Sequence, residues 1–187
     1  MSATETNAAD IGRLKELLFA TEDHSTYAVL DGASVPGLLE KLAAAPEEHA
    51  CLYRGELEPD IAVTAPYLVK LREESPLTDW ILKEGWGNHW GIFVETPVGL
   101  EALRRHFRRF LRVKDHTGQV LYFRYYDPRV LSIYLPTCNA REIQVIYGPV
   151  TRFIAEEEDT ASAFVFPIDG LKIKPKTINL LEDASVR

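Results

Sequence analysis

The chain has 187 residues, of which 46% are hydrophobic and 26% are charged, and its formal net charge is −7. This length and composition indicate one globular domain of ordinary size and exclude an intrinsically disordered chain or one that needs disulfides or metal to fold. The negative charge argues against a general nucleic-acid binder, because contacts to phosphate dominate that affinity.

Nothing in the sequence directs the chain out of the cytoplasm. Residues 1–10 lack the positive and apolar regions of a signal peptide, and no uncharged apolar stretch approaches the roughly 20 residues of a membrane helix. Cys51 and Cys138 stand alone, without metal-ligand spacing, which is typical of a reducing compartment. We therefore expect a cytoplasmic protein with no membrane partner, no metal and no cofactor.

Short apolar runs alternate with amphipathic segments along the chain. Apolar residues at helical spacing predict a short helix over 11–18, and the run Tyr27-Ala28-Val29-Leu30 predicts a buried strand. The remaining strands are predicted at 50–53, 67–71, 91–95, 113–117, 120–126 and 145–154, and the remaining helices are predicted to start at Ser34, Ser75, Thr96 and Asp127.

Three of these predicted helix starts share one sequence pattern, a hydroxyl or Asp cap followed directly by Pro, at Ser75, Thr96 and Asp127. The cap accepts hydrogen bonds from free helix amides, and Pro sits where its missing N–H costs nothing. Strands alternating with such helices predict an α/β fold, a layered domain with a short-stranded mixed sheet flanked by helices.

We divide the chain into three parts. Residues 1–20 form an N-terminal leader and short helix, and residues 21–155 form the α/β domain. Residues 156–187 begin with Glu156-Glu157-Glu158-Asp159 and are expected to form a solvated acidic C-terminal extension, with one candidate strand at 164–166.

Asp31 ends the first buried strand and is followed by Gly32 and Ser34. Open α/β sheets bind ligands at such strand ends, so Asp31 could serve a phosphotransfer enzyme as nucleophile or magnesium ligand. The alternative is a turn acid whose carboxylate accepts backbone amides. The second interpretation is favoured, because no second acid follows two residues later.

A glycine-rich loop before the strand at 91–95 holds Trp86, His89 and Trp90. Two indoles and an imidazole in such a loop could form a recognition surface, since Trp is enriched at binding hot spots. Alternatively, the tryptophans cover the end of the sheet. The sequence favours the second alternative slightly and leaves both open.

The helix predicted from Pro97 to Arg112 has an apolar face and a strongly basic one. The basic face could steer an acidic partner toward an otherwise acidic protein, and it comprises Arg104, Arg105, Arg108, Arg109 and Arg112, joined by His106. The slightly favoured alternative is a solvated face paired with local acids, and a contact to phosphate backbones is least favoured.

The segment LYFRYYDPR, Leu121 to Arg129, is apolar or aromatic except for its charged residues. Arg124 within such a strand needs a paired guanidinium, and we expect its partner to be Asp127 or the end of a neighbouring strand. Asp127 is also the predicted helix cap, with Arg129 in the first turn. These residues predict a structural corner of strand, cap and helix.

Four motifs, in this order, resemble the adaptor domain of bacterial type VI secretion systems. They are Tyr27-Ala28-Val29-Leu30-Asp31-Gly32-Ala33, Ala65-Pro66-Tyr67-Leu68, Trp90-Gly91-Ile92-Phe93 and Phe123-Arg124-Tyr125-Tyr126-Asp127-Pro128-Arg129. The similarity spans about residues 27–150, and the last motif is its most specific piece.

The resemblance implies a non-enzymatic chaperone that binds a secreted effector, often through the effector's N-terminal region, and helps load it onto the spike-tip protein VgrG. It implies no catalytic residues. Partner-binding or motif positions are Arg124, Tyr126, Asp127, Arg129, Trp86, His89, Trp90, Arg105 and Arg109. The alternative function is an α/β enzyme that acts on a phosphorylated or nucleotide ligand at Asp31; no nucleophile elbow or phosphate-binding glycine loop supports it.

Overall fold

A computed structural model describes residues 8–114 and 117–181 of the chain. The helices are α1 Ala8–Leu18, α2 Leu38–Ala44, α3 Pro59–Ala62, α4 Pro76–Gly85, α5 Leu100–Phe107, α6 Pro128–Tyr134 and α7 Ala140–Tyr147. The strands are β1 Ser25–Asp31, β2 His49–Cys51, β3 Pro66–Lys70, β4 Gly91–Thr96, β5 Arg112–Lys114, β6 Val120–Tyr122, β7 Arg152–Glu156, β8 Ser162–Asp169, β9 Lys172–Ile173 and β10 Lys176–Asn179.

One large sheet runs through the molecule in the order β10-β8-β7-β4-β1-β3-β2, with β9 added beside β8. The described pairings are antiparallel, and β1 lies near the middle, where Ala28 pairs with Val69 of β3 and Phe93 of β4. Strands β5 and β6 form a separate two-stranded ribbon.

Alternating residues of β1 point to opposite faces of the sheet, as the two-residue period of a strand requires. Ala28 and Leu30 belong to one apolar core, which they share with residues of α1, α2 and α4. Tyr27 and Val29 belong to a second core, which they share with residues of α5, α6 and α7. The sheet therefore lies between two helical layers, and the predicted layered α/β fold is confirmed.

The cap predictions have mixed outcomes. Ser75 accepts from the amides of Leu77 and Thr78 at the start of α4, and Asp127 caps α6, both as predicted. Thr96 does not cap α5: its hydroxyl accepts from the amide of Val98, and the helix begins after Gly99. The helix is thus shorter than the predicted span from Pro97 to Arg112.

Two further local predictions are wrong. Ser34 donates its hydroxyl to Asp31 rather than capping α2, whose N-cap is Gly37. The extended segment predicted over 145–154 is wrong for residues 145–147, which end helix α7, and right for residues 152–154, which belong to β7; a reciprocal capping box between Asn139 and Glu142 starts the helix. The hairpin predicted around Gly118 forms as ribbon β5–β6, but its second strand ends at Tyr122 and not at Tyr126, and residues 115–116 of its first predicted strand lie outside the described residues.

The expected solvated character of the C-terminal segment does not hold for its central part. Strand β8 pairs with β7, and β10 pairs with β8, so this segment extends the main sheet. Ala163 and Phe166 are fully buried. Apolar side chains on a strand beside an open sheet edge gain more by pairing and burial than by solvation. The boundary at residue 156 stays a prediction.

In the described ranges, no helix is long and apolar enough to cross a membrane.

Candidate functional site

The segment Phe123 to Arg129 forms a corner that is joined to the end of β1 by an ion pair. The guanidinium of Arg124 pairs with the carboxylate of Asp31, which is the last residue of β1. Of the two expected partners, the strand end is therefore the correct one, and Asp127 is not. Burial alone would lower the pKa of Arg124, but the charge of Asp31 and its hydrogen bond outweigh this effect and raise it.

Asp31 serves the turn that follows β1. Its carboxylate accepts from the amide of Ala33 at 3.1 Å and from the hydroxyl of Ser34 at 3.0 Å, in addition to Arg124. Its side chain is 3% exposed. These contacts agree with the interpretation of Asp31 as a turn acid.

Asp127 holds the other half of the corner. One carboxylate oxygen accepts from the amide and the Nε of Arg129, both at 3.0 Å, and the other accepts from Nη2 at 2.7 Å. Burial would raise the pKa of Asp127, but the hydrogen bonds from Arg129 outweigh it and lower the pKa. The corner thus contains two separate ion pairs, where the sequence analysis expected one.

Between these pairs, two tyrosines face the core. The hydroxyl of Tyr125 donates to the carbonyl of Phe107 at 3.2 Å, and Tyr125 and Tyr126 are both buried. The guanidinium of Arg124 lies 6.0 Å from the ring centre of Tyr126, within reach of a cation–π contact. Tyr126 therefore packs beneath the guanidinium of Arg124 in the core and presents little surface to a partner. Arg124 and Arg129, by contrast, are about half exposed.

The glycine-rich loop is held by a buried carboxylate that the sequence analysis placed in the solvated extension. Glu156 accepts from the amides of Gly87 and His89 and from the His89 ring, with 2.7 Å to the His89 amide. Burial raises the pKa of Glu156, and these hydrogen bonds counteract it in part. Trp86 and Trp90 retain only 6% and 8% exposure. They cover the sheet, as the second alternative predicted, and His89 offers the more accessible side chain.

The arginines of α5 do not form one uniform basic face. Arg104 and Arg108 donate to backbone carbonyls at the end of β2, among them Cys51 at 3.1 Å from Arg104 Nε and Tyr53 at 2.5 Å from Arg108 Nη2. Arg105 is exposed, and its Nε donates to the carbonyl of Glu101.

Two other members of that predicted basic face have different places. His106 turns inward, where Nε2 lies 2.8 Å from the carbonyl of Ile146 and burial lowers the histidine pKa. Arg109 is exposed past the end of the helix and lines a cleft of about 510 Å³ that Arg105 does not line.

The other side of this cleft was not anticipated, because no helix or strand was predicted between the strands at 50–53 and 67–71. Tyr53, Leu57 and Ile61 line the cleft. The sequence offered one signal for this side of the cleft, the apolar Ile61 within a polar segment, and the structure leaves that side chain exposed. In the described ranges, no group of three or more His, Cys, Asp or Glu residues is arranged to hold a metal ion.

The model of the family described as "Domain of unknown function (DUF4123)" matches residues 26–144, which is more than half of the chain and includes the corner and all of β1 except Ser25. No curated protein and no solved structure matches the chain. By the extent of the family match, the chain belongs to the DUF4123 family.

Proposed function

We propose that the protein is a non-enzymatic adaptor that binds a type VI secretion effector and helps load it onto the spike-tip protein VgrG. The observation that carries the proposal is the DUF4123 match over residues 26–144, since this family is commonly associated with type VI secretion effector adaptors. The ordered motifs that end with Phe123 to Arg129 lie inside this range.

The hydrogen bonds and ion pairs of Asp31 and Asp127 are consistent with a non-enzymatic adaptor. Both carboxylates are occupied by donors of the chain itself, Asp31 by Arg124 and the following turn, and Asp127 by Arg129. A nucleophilic carboxylate must instead have a free oxygen that faces a substrate. These contacts give no support to the alternative of a phosphotransfer enzyme centred on Asp31.

The test is co-expression of the tagged chain with the products of the adjacent effector and spike genes, followed by affinity purification. We expect a stoichiometric complex with the effector that survives gel filtration, together with VgrG when all three proteins are present. An effector and a spike protein that both fail to co-purify with a folded chain would overturn the proposal.

A further inference from the structure

A cleft of about 510 Å³ lies between the segment that follows β2 and the ribbon β5–β6. Tyr53, Leu57 and Ile61 line one side, and Tyr122 lines the other. Its volume is within the range of about 300–1,000 Å³ that is common for ligand pockets, so it fits a few side chains of a peptide rather than a folded domain. We call it the arginine cleft, for the charges described below.

The ribbon beside the arginine cleft exposes apolar side chains to an unusual extent. All three residues of β6 are exposed, and Tyr122 keeps 69% of its surface accessible. Within the described ranges, β5 and β6 pair only with each other. A two-stranded ribbon with exposed apolar side chains gains from a partner that covers them.

Charge distinguishes this cleft from the rest of the surface. Its lining includes Arg54, Arg108, Arg109 and Arg112, and no acidic residue of the described ranges lines it. Across residues 8–114 and 117–181, Arg54, Arg109 and Arg112 form no ion pair with another described residue. On a chain of net charge −7, these arginines form a local concentration of positive charge beside the apolar residues that line the cleft.

The electrostatics and the packing of the cleft agree with this description. The pKa of Arg108 is lowered, first by burial and then by the nearby charges of Arg104 and Arg54, which shows how densely the cations are placed. The ring of Tyr53 lies 6.4 Å from that of Tyr122, so the two aromatic side chains of the cleft are close neighbours.

We propose that the arginine cleft binds a short acidic peptide segment that also carries aliphatic or aromatic side chains. The inference rests on the proposed adaptor function, in that this segment belongs to the effector that the adaptor carries. The apolar lining residues Leu57, Ile61 and Tyr122 contact the apolar side chains of the peptide, and Arg54, Arg109 and Arg112 attract its carboxylates.

A peptide fits better than a nucleic acid. Tyr53 and Tyr122 could stack on bases, but Leu57 and Ile61 add aliphatic surface that suits apolar side chains, and the overall charge of −7 repels a long polyanion. A short segment meets only the local positive charge of the cleft.

The first experiment measures fluorescence anisotropy of a labelled peptide in which Glu and Leu alternate. Peptides that alternate Glu with Ser and Lys with Leu, and single-stranded oligo(dT), are compared at the same ionic strength. We expect the folded full-length chain to bind the Glu–Leu peptide more tightly than the other three. Equal binding of the Glu–Ser peptide, tighter binding of oligo(dT), or no binding of the Glu–Leu peptide would each overturn the proposal.

Variants locate the binding on the surface. The double variant R109E/R112E should weaken binding of the Glu–Leu peptide by about tenfold or more, because both charges at the cleft are reversed. Tyr122→Ser should weaken it through the lost apolar contact. Arg141→Glu is the matched control, since it reverses an exposed arginine of α7 outside the cleft, and its effect should stay within about twofold. An equal loss with Arg141→Glu, or none with the double variant, would refute the assignment.

Co-purification with the adjacent effector separates this proposal from the adaptor function. The wild-type chain and Arg141→Glu should retain the effector, and R109E/R112E should lose it. If all three retain it equally, the assignment of the cleft fails and the adaptor function stands. If the wild-type chain retains none, the adaptor function fails, and the peptide titration still decides what the cleft binds.

Discussion

The ion pair between Asp31 and Arg124 should stabilise the fold measurably, because it joins the centre of the sheet to the corner. Removing one partner of a buried pair costs about 3–5 kcal/mol. Arg124 is 49% exposed on its side chain, and Asp31 keeps two other donors, so solvent and neighbours reduce this cost. For Arg124→Gln we expect a loss of about 1–2 kcal/mol in the free energy of unfolding.

Asp31→Asn should cost more, since it removes the charge that three donors share and turns an amide group toward at least one of them. Hydrogen bonds to a charged group contribute about 1.5–3 kcal/mol, and we expect a loss of about 2–3 kcal/mol. The double variant then gives a coupling energy of about 1–2 kcal/mol, because both changes remove the same interaction.

The assay is urea unfolding followed by circular dichroism for the wild type, both single variants and the double variant. Arg105→Gln is the control, an exposed arginine whose replacement should change stability by less than about 0.5 kcal/mol. A coupling energy below about 0.5 kcal/mol would refute the view that Asp31 and Arg124 hold the corner to the sheet.

Two further predictions concern two other buried carboxylates, those of Asp127 and Glu156. Asp127→Ala should destabilise the fold by about 0.5–2 kcal/mol through the lost cap of α6. Because the pKa of Asp127 is lowered in the folded state, its stabilising effect is present above the ordinary aspartate pKa of 3.8 and is lost as pH falls further. The stability difference between wild type and Asp127→Asn in urea titrations should therefore shrink at acid pH, and a constant difference would contradict this. Glu156→Ala should leave the amides of Gly87 and His89 without their acceptor and cost about 1–3 kcal/mol, with faster amide exchange in that loop; unchanged exchange would show that Glu156 does not anchor it.

The parts of the fold that local chemistry specifies could be predicted from the sequence. Ser75 and Asp127 cap their helices because a cap and its following Pro need only neighbouring backbone amides. Thr96 has the same signal but caps no helix: its hydroxyl accepts from Val98 and donates to the carbonyl of Pro149, 53 residues away, and α5 begins only after Gly99. Helix α7 had its own sequence signal, the capping box of Asn139 and Glu142, which was not used in the prediction.

The long-range pairings of the site could not be predicted. Arg124 lies 93 residues from Asp31, and Glu156 lies 67 residues from His89. Each pairing depends on the strand order, in which β1 lies beside β4 and β4 beside β7, and the sequence pattern does not determine that order. Arg105 and Arg109 were assigned to one basic face because the helix was predicted to run to Arg112, but α5 ends at Phe107, and of the two only Arg109 lines the cleft.

The proposed loading of an effector onto VgrG is tested most directly by affinity purification of tagged VgrG from two strains, one with the gene for this chain and one without it. The effector is quantified in each eluate. The account predicts effector on VgrG only in the strain that has the gene, with loading restored by the wild-type chain supplied on a plasmid. Equal amounts of effector on VgrG in both strains would contradict it.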